Sequence, residues 1–245
     1  MKKYIPNAIT LCNLLSGSIA VIYALQGDLL LAAGFVILGI FFDFFDGLFA
    51  RLFKVESAIG LQLDSLADMI TSGLVPGIVM VQLLFMSILI PTPENLWSDF
   101  SFMLAILNFI PLVGLLIVLA SAYRLAKFNV DERQTSSFIG LPTPANALWI
   151  ISLPLILIYQ PSELAFQVIL NPWVLVLGTL LSCYLLNAEI PLFSLKFKTK
   201  SFKANSLRYI FLLLSLVLLI SFWFVAIPII VFLYVLLSLI FKEKA

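Results

Sequence analysis

Asp43 and Asp46 lie in the run LLLAAGFVILGIFFDFFDGLFARLF, and Asp64 and Asp68 lie in AIGLQLDSLADMITSGLVPGIVM. Both runs are otherwise apolar and long enough to span a bilayer. An Asp at the centre of a spanning helix costs roughly 2.5–3.5 kcal/mol on insertion scales. Four such residues must therefore lie near a membrane surface, meet compensating cations, or both. Spacing favours compensation. Asp43 and Asp46 are three residues apart and Asp64 and Asp68 four apart, so each pair shares one helix face. A short turn around Lys54-Val55-Glu56 makes the two helices antiparallel, and the four carboxylates can converge on one cavity. Arg51 supplies one positive charge, and neither His nor Cys is near. Hard oxygen donors without nitrogen or sulfur favour Mg²⁺, Mn²⁺ or Ca²⁺ over zinc, and two divalent ions would balance four carboxylates. Gly47 and Gly60 leave backbone open for a bulky ligand or for close helix packing; both readings stand for Gly60.

The elements that carry these residues belong to a membrane protein. Of 245 residues, 62% are hydrophobic and only 11% charged, and no His occurs; the mean hydropathy is +1.15. The lack of imidazole excludes Ser-His-Asp triads, Cys-His pairs, His-ligated zinc and phosphohistidine chemistry. Cys12 and Cys183 are too few for a disulfide framework and lack CxxC spacing. Hydropathy predicts an all-α protein with eight spans at about 8–25, 29–53, 58–89, 101–126, 145–160, 168–188, 206–223 and 225–241. The last two share one nearly unbroken apolar run. Ala226-Ile227-Pro228 reads as the start of the second helix, and one long kinked helix is the alternative.

Every one of the 14 Lys and Arg residues falls at the termini or between spans 2 and 3, 4 and 5, or 6 and 7. The opposite loops carry only Asp28, Glu94, Asp99 and Glu163. By the positive-inside rule both termini face the cytoplasm and the span count is even. The basic run from Lys196 to Lys203 suits orientation and contact with anionic headgroups. No linker divides the chain, which reads as a single transmembrane domain, and nothing points to nucleic acid.

Asp43-x-x-Asp46-Gly47-x-x-Ala50-Arg51, followed after eight residues by Gly60-x-x-x-Asp64-x-x-x-Asp68, resembles the signature of the CDP-alcohol phosphatidyltransferase family at every fixed position. The resemblance implies a six-helix catalytic core, about residues 1–190, with an additional helical pair at about 205–241. It implies two divalent ions, Mg²⁺ or Mn²⁺, on the diphosphate of a CDP-linked lipid. Asp43, Asp46 and Asp64 would hold one ion and Asp43, Asp64 and Asp68 the other, with Asp68 also taking the acceptor's proton. A two-metal clamp suits a leaving diphosphate, and Arg51 adds a fixed cation. Ser57 reads equally as a hydroxyl near the substrate or as a helix N-cap. Pro6-Asn7-x-x-Thr10-x-x-Asn13 resembles the opening of many members, where such residues meet cytidine and phosphates; the alternative is polar residues at a helix start. Gly47, Ala50, Arg51 and Gly60 complete the expected CDP-lipid contacts.

For the acceptor, RLAKFNVDERQTSSFIGLPTPANAL from Arg124 to Leu148 resembles the phosphatidylserine synthases within the family, where Lys127 replaces a more usual Arg. This implies CDP-diacylglycerol and L-serine as substrates, with phosphatidylserine and CMP as products, at the cytoplasmic face of a prokaryotic plasma membrane. Arg124, Lys127 and Asn129 are the expected serine contacts; topology anchoring is the alternative for the two cations. The resemblance also implies a homodimer. Two other readings differ in what they release: another family transferase using glycerol phosphate or an inositol-type acceptor, and a cation transporter, which would move ions without forming CMP.

Overall fold

Lipid offers no hydrogen-bonding partners, so apolar chain must satisfy its backbone internally, and helices result. The computed structural model describes residues 4–89, 109–131, 138–193 and 205–241. Its elements are α1 (Ile5–Leu25), α2 (Leu29–Phe53), α3 (Ala58–Asp68), a π-helical turn (Met69–Leu74), α4 (Val75–Leu89), a 3-10 segment (Ile110–Leu115), α5 (Leu116–Val130), β1 (Phe138–Ile139), α6 (Thr143–Tyr159), α7 (Glu163–Ile169), α8 (Pro172–Asn187), β2 (Pro191–Leu192), α9 (Ser206–Phe222), a 3-10 turn (Trp223–Val225) and α10 (Ala226–Ile240). The first eight residues of expected span 4, the loop cations Lys2, Lys3, Arg133, Lys196, Lys198, Lys200, Lys203, Lys242 and Lys244, and the loop acids Glu94 and Asp99 lie outside the described residues.

Small side chains bring α1 and α2 together: Ala20, Ala24, Ala32, Ala33 and Val36 are fully buried. Asp28 caps α2 by accepting from the Leu31 N–H at 3.0 Å. At its other end α2 stops on Lys54 in the left-handed region, φ 55°, and the Val55 N–H returns to the Ala50 carbonyl at 3.0 Å. α2 and α3 both pack chiefly on α1 rather than on each other, which leaves a cleft between them. α3 passes into α4 through the π-helical turn. Pro76 accounts for it: proline has no N–H for the Ser72 carbonyl, and its ring would crowd that carbonyl in a regular helix.

One expectation from hydropathy is altered and one open choice is decided. The span predicted at 168–188 is broken: α7 and α8 meet at 60°, because Asn171 accepts from the Trp173 N–H and Pro172 opens a new helix. The run 206–241 is a hairpin rather than one kinked helix. Trp223 takes φ 49°, and the rings of Phe211 and Tyr234 lie 5.6 Å apart, which only a folded-back chain allows. Pro228 sits in the first turn of α10, where a missing N–H costs nothing. The one departure from an all-α chain among the described residues is the two-residue pairing of β1 with β2, Phe138 opposite Leu192 and Ile139 opposite Pro191.

Among the described residues, five helical stretches are long and apolar enough to cross a membrane, Ile5–Leu25, Leu29–Phe53, Ala58–Ile88, Ile110–Val130 and Ser206–Ile240, the last folded back as the hairpin, and the bent pair makes a sixth. The protein is a multi-pass α-helical membrane protein.

Gln160, at the end of α6, holds the hairpin turn from both sides. Its amide donates to the Phe222 carbonyl at 3.0 Å and accepts from the Val225 N–H at 3.2 Å. Gln160→Ala is expected to lower stability by about 1–2 kcal/mol, two hydrogen bonds at typical worth, read as a lower melting temperature in detergent.

Candidate active site

The cleft between α2 and α3 collects acid from both walls. Oxygens of Asp43, Asp64 and Asp68 all lie within 4.8 Å of one another. Asp43 comes from α2, and Asp64 and Asp68, one turn apart, come from α3. Asp46 stands outside this triad. It is buried, and its carboxylate accepts a hydrogen bond from the Thr10 hydroxyl, which also lies 3.0 Å from the Pro6 carbonyl. The four predicted carboxylates thus occupy one cleft as three plus one.

A second layer fixes the deepest of them. The Asn13 amide is fully buried and donates to Asp68 Oδ1 at 3.3 Å. Asn13 in turn accepts from the Thr71 hydroxyl, at 2.8 Å on its side chain and 3.2 Å on its backbone carbonyl. These bonds fix the amide's orientation: with Thr71 donating to Oδ1, the nitrogen faces the carboxylate. Thr71 belongs to the π-helical turn and reaches Asn13 because Gly17 and Gly39 make room for it. A Cβ on Gly39 would lie 2.6 Å from Thr71 Cγ2, and one on Gly17 would overlap the Thr71 hydroxyl. Asn13 was expected to meet the lipid substrate; the structure puts it behind Asp68 and away from the cavity.

That cavity, of about 510 Å³, opens between the first turns of α1, the end of α2 and the start of α3. Asn7, Thr10, Asp46, Gly47, Ala50, Arg51, Ser57, Gly60 and Asp64 all line it. Gly47 leaves it open: a Cβ there would meet only the Arg51 guanidinium, at 3.9 Å. Gly60 has a different task. A Cβ there would press on Ser57 Oγ at 3.1 Å and Asn7 Oδ1 at 3.3 Å, so its absence keeps two polar tips in place. Ser57 both lines the cavity and caps α3 by accepting from the Gly60 N–H at 3.0 Å.

The three residues expected at the acceptor site separate. Arg124 is 7% exposed and within electrostatic reach of Asp68. Its Nη2 donates to the Gly140 carbonyl at 3.3 Å, its guanidinium lies 5.9 Å from the Phe128 ring centroid, and its buried Nε has no hydrogen-bond partner among the described residues. Lys127 instead forms an ion pair with Glu189 at 3.3 Å, on the protein surface. Asn129 exchanges hydrogen bonds with Ser65 at 2.9 and 3.2 Å, tying α5 to α3. Asn129, five residues on, turns to another side of α5, whereas Lys127, three residues on, stays near the Arg124 face and is held at the surface by Glu189.

The carboxylates fit a hard divalent cation. Asp64 Oδ1 is buried and accepts no hydrogen bond. The triad offers oxygen alone, and among the described residues no Lys or Arg forms a salt bridge to it. Thr71, Gly17 and Gly39 escaped the sequence reading. The available signal was Thr71-Ser72-Gly73, a polar and small triplet inside an apolar run.

Comparison with known proteins agrees with this geometry. Residues 3–184 match the model of the CDP-alcohol phosphatidyltransferase family. A CDP-diacylglycerol–serine O-phosphatidyltransferase of Bacillus subtilis is 29% identical over 192 residues, 77% of this chain and 89% of that protein. One of the same name from Helicobacter pylori is 28% identical over 148 residues, 60% of this chain and 55% of that protein. An archaetidylserine synthase of Methanothermobacter thermautotrophicus is 31% identical over 167 residues, 67% of this chain and 64% of that protein. The match thus spans most of the first relative and little more than half to two thirds of the other two. Carboxylate cleft, open cavity and a match over most of its length agree: the chain belongs to the CDP-alcohol phosphatidyltransferase family.

Proposed function

We propose that the protein transfers the phosphatidyl group of CDP-diacylglycerol to the hydroxyl of L-serine, releasing phosphatidylserine and CMP. The observation that carries this reading is the carboxylate cleft, joined through Asp64 to a cavity lined by six of the eight motif residues, Asp46, Gly47, Ala50, Arg51, Gly60 and Asp64. The names of the relatives support serine as acceptor.

In this reading the cavity takes the cytidine diphosphate, and the acyl chains stay in the bilayer. Asn7, Thr10 and Ser57 offer hydrogen bonds to nucleotide and phosphates, Gly47 allows close approach, and Arg51 supplies a fixed cation. Asp43, Asp64 and Asp68 would hold one Mg²⁺ or Mn²⁺, and Asp43, Asp46 and Asp64 would hold a second. When bound, these ions supply the positive charge that offsets charge on the entering and leaving oxygens. Asp68 takes the proton of the serine hydroxyl, and Asn13 holds that carboxylate in one orientation. The serine oxygen bonds to the lipid-linked phosphorus as the bond from that phosphorus to the CMP oxygen breaks. Arg124 receives the serine carboxylate on its unpartnered Nε edge.

The topology proposed with it has eight spans, both termini in the cytoplasm and the active site at that face, within a single domain. The α9–α10 hairpin supports two crossings at the carboxyl end, and the distribution of all 14 basic residues supports the orientation.

The deciding experiment gives the purified enzyme CDP-diacylglycerol with serine, glycerol 3-phosphate or inositol phosphate and identifies the lipid formed. Phosphatidylserine from serine alone is expected; a lipid made only from another alcohol would overturn the acceptor assignment. CMP release should vanish with chelator and return with Mg²⁺ or Mn²⁺. Ion flux without CMP would point to transport instead.

Asp68→Asn keeps the shape of the side chain and removes its capacity as a base. It is expected to lower kcat by about 10²–10⁴-fold, read as serine-dependent CMP release, while CDP-diacylglycerol still binds.

A further inference from the structure

The family match ends at residue 184, yet the surroundings of Arg124 are built by residues well beyond it. Among the described residues, the Arg124 guanidinium makes one hydrogen bond, from Nη2 to the Gly140 carbonyl at 3.3 Å. Gly140 is itself tightly held. It takes φ +75°, and a Cβ would lie 2.6 Å from the Leu186 carbonyl oxygen, so only glycine suits the position. Its N–H donates to the Ile190 carbonyl at 2.9 Å, and the Leu141 N–H donates to Leu185 at 2.8 Å. The carbonyl that aims Arg124 is therefore fixed by the segment that runs from α8 into β2.

That segment is anchored in turn by α10. Phe193, directly after β2, is 2% exposed. Its carbonyl accepts from the Tyr234 hydroxyl at 2.9 Å, and its N–H reaches Ser238 Oγ at 3.4 Å. The Ser238 hydroxyl donates back to the Tyr234 carbonyl at 2.7 Å, which sets its lone pairs toward Phe193. The rings of Phe193, Phe211 and Tyr234 are packed at 4.9–5.6 Å between centroids, so α9 closes the same knot. Tyr234 also lies within electrostatic reach of Arg124.

A buried donor left unpaired costs about 1–3 kcal/mol, so an Nε kept in that state beside Asp68 is poised for an acceptor that arrives with the substrate. An arginine side chain carries about 2 kcal/mol of rotamer entropy. Fixing it before the ligand binds removes that cost from binding. We propose that Tyr234 and Ser238 are positioning residues for Arg124, acting through Phe193, the β1–β2 pairing and Gly140. The carboxyl-terminal hairpin is then part of the machinery that selects a carboxylate-bearing acceptor. This rests on the reading of Arg124 as the acceptor's carboxylate partner.

The test uses the full-length enzyme in lipid nanodiscs, with KM measured separately for serine and for CDP-diacylglycerol. Tyr234→Phe keeps the ring and deletes one hydroxyl; serine KM is expected to rise about tenfold, with kcat and the CDP-diacylglycerol KM unchanged. Ser238→Ala should act in the same direction and serves as the readout if Tyr234→Phe fails to fold. Arg124→Ala should raise serine KM further, and Tyr234→Phe added to it should have no additional effect. An unchanged serine KM in Tyr234→Phe, with a raised one in Arg124→Ala, overturns the positioning role and leaves the Arg124 reading intact. An unchanged serine KM in Arg124→Ala removes that reading and the proposal together. A fall in kcat and a rise in both KM values, in step with melting temperature, would mark Tyr234 as structural only and also overturn the proposal.

Discussion

Three carboxylates within 4.8 Å of one another, on helices that are otherwise apolar, set the conditions for the rest of the bundle. Two unit charges about 4 Å apart repel by roughly 4 kcal/mol at an effective dielectric of 20. The helices that bear these charges cannot be held by contact with each other, because the charges lie in the cleft between them. They are held from behind. α1 packs on both α2 and α3, through alanines on one side and through Asn13 and Thr71 on the other. A third helix can thus keep two acidic walls apart by a distance that suits a cation.

The same constraint explains the irregular helix. A regular α3–α4 rod would turn residue 71 to another direction, and Asn13 would lose the hydroxyl that orients it. The π-helical turn, which Pro76 favours, aims Thr71 at α1, and Gly17 and Gly39 accept its bulk. Local backbone irregularity here has a definite product: one amide nitrogen pointed at Asp68. Deep in a membrane such irregularity is tolerated where protein covers it, and Thr71, Ser72 and Gly73 are all buried.

The sequence carried the carboxylate cleft and cavity lining in readable form, because both are built from residues within about two turns of each other at the facing ends of α2 and α3 and from the first turns of α1. Periodicity places such residues on one face without knowledge of tertiary packing. Where Asn13, Lys127 and Asn129 point was not legible for the complementary reason. Each was assigned by proximity in sequence to a motif, whereas its role depends on what lies opposite: Asp68 and Thr71 for Asn13, Glu189 for Lys127 and Ser65 for Asn129. The hairpin at Trp223 was open between two readings because hydropathy has no turn signal in a run that is apolar throughout. The break at Asn171-Pro172 did have a signal, a cap followed by a proline, but apolar length outweighed it.

A division of labour follows between the two sides of the cleft. The cavity side is assembled from residues 6–64, close in sequence, with few long-range requirements beyond the packing of α1. The Arg124 side depends on contacts between residues 124, 140, 193 and 234, spread over more than a hundred positions. Chemistry common to a family can be kept by a short motif, since the diphosphate to be held is the same in every case. Discrimination among acceptors requires a pocket whose shape is fixed from several directions, and a preorganised arginine gains most from such bracing. The cavity and the carboxylate cleft are therefore legible in the motif residues, while the surroundings of Arg124 become legible only once β1, β2 and the final hairpin are seen together.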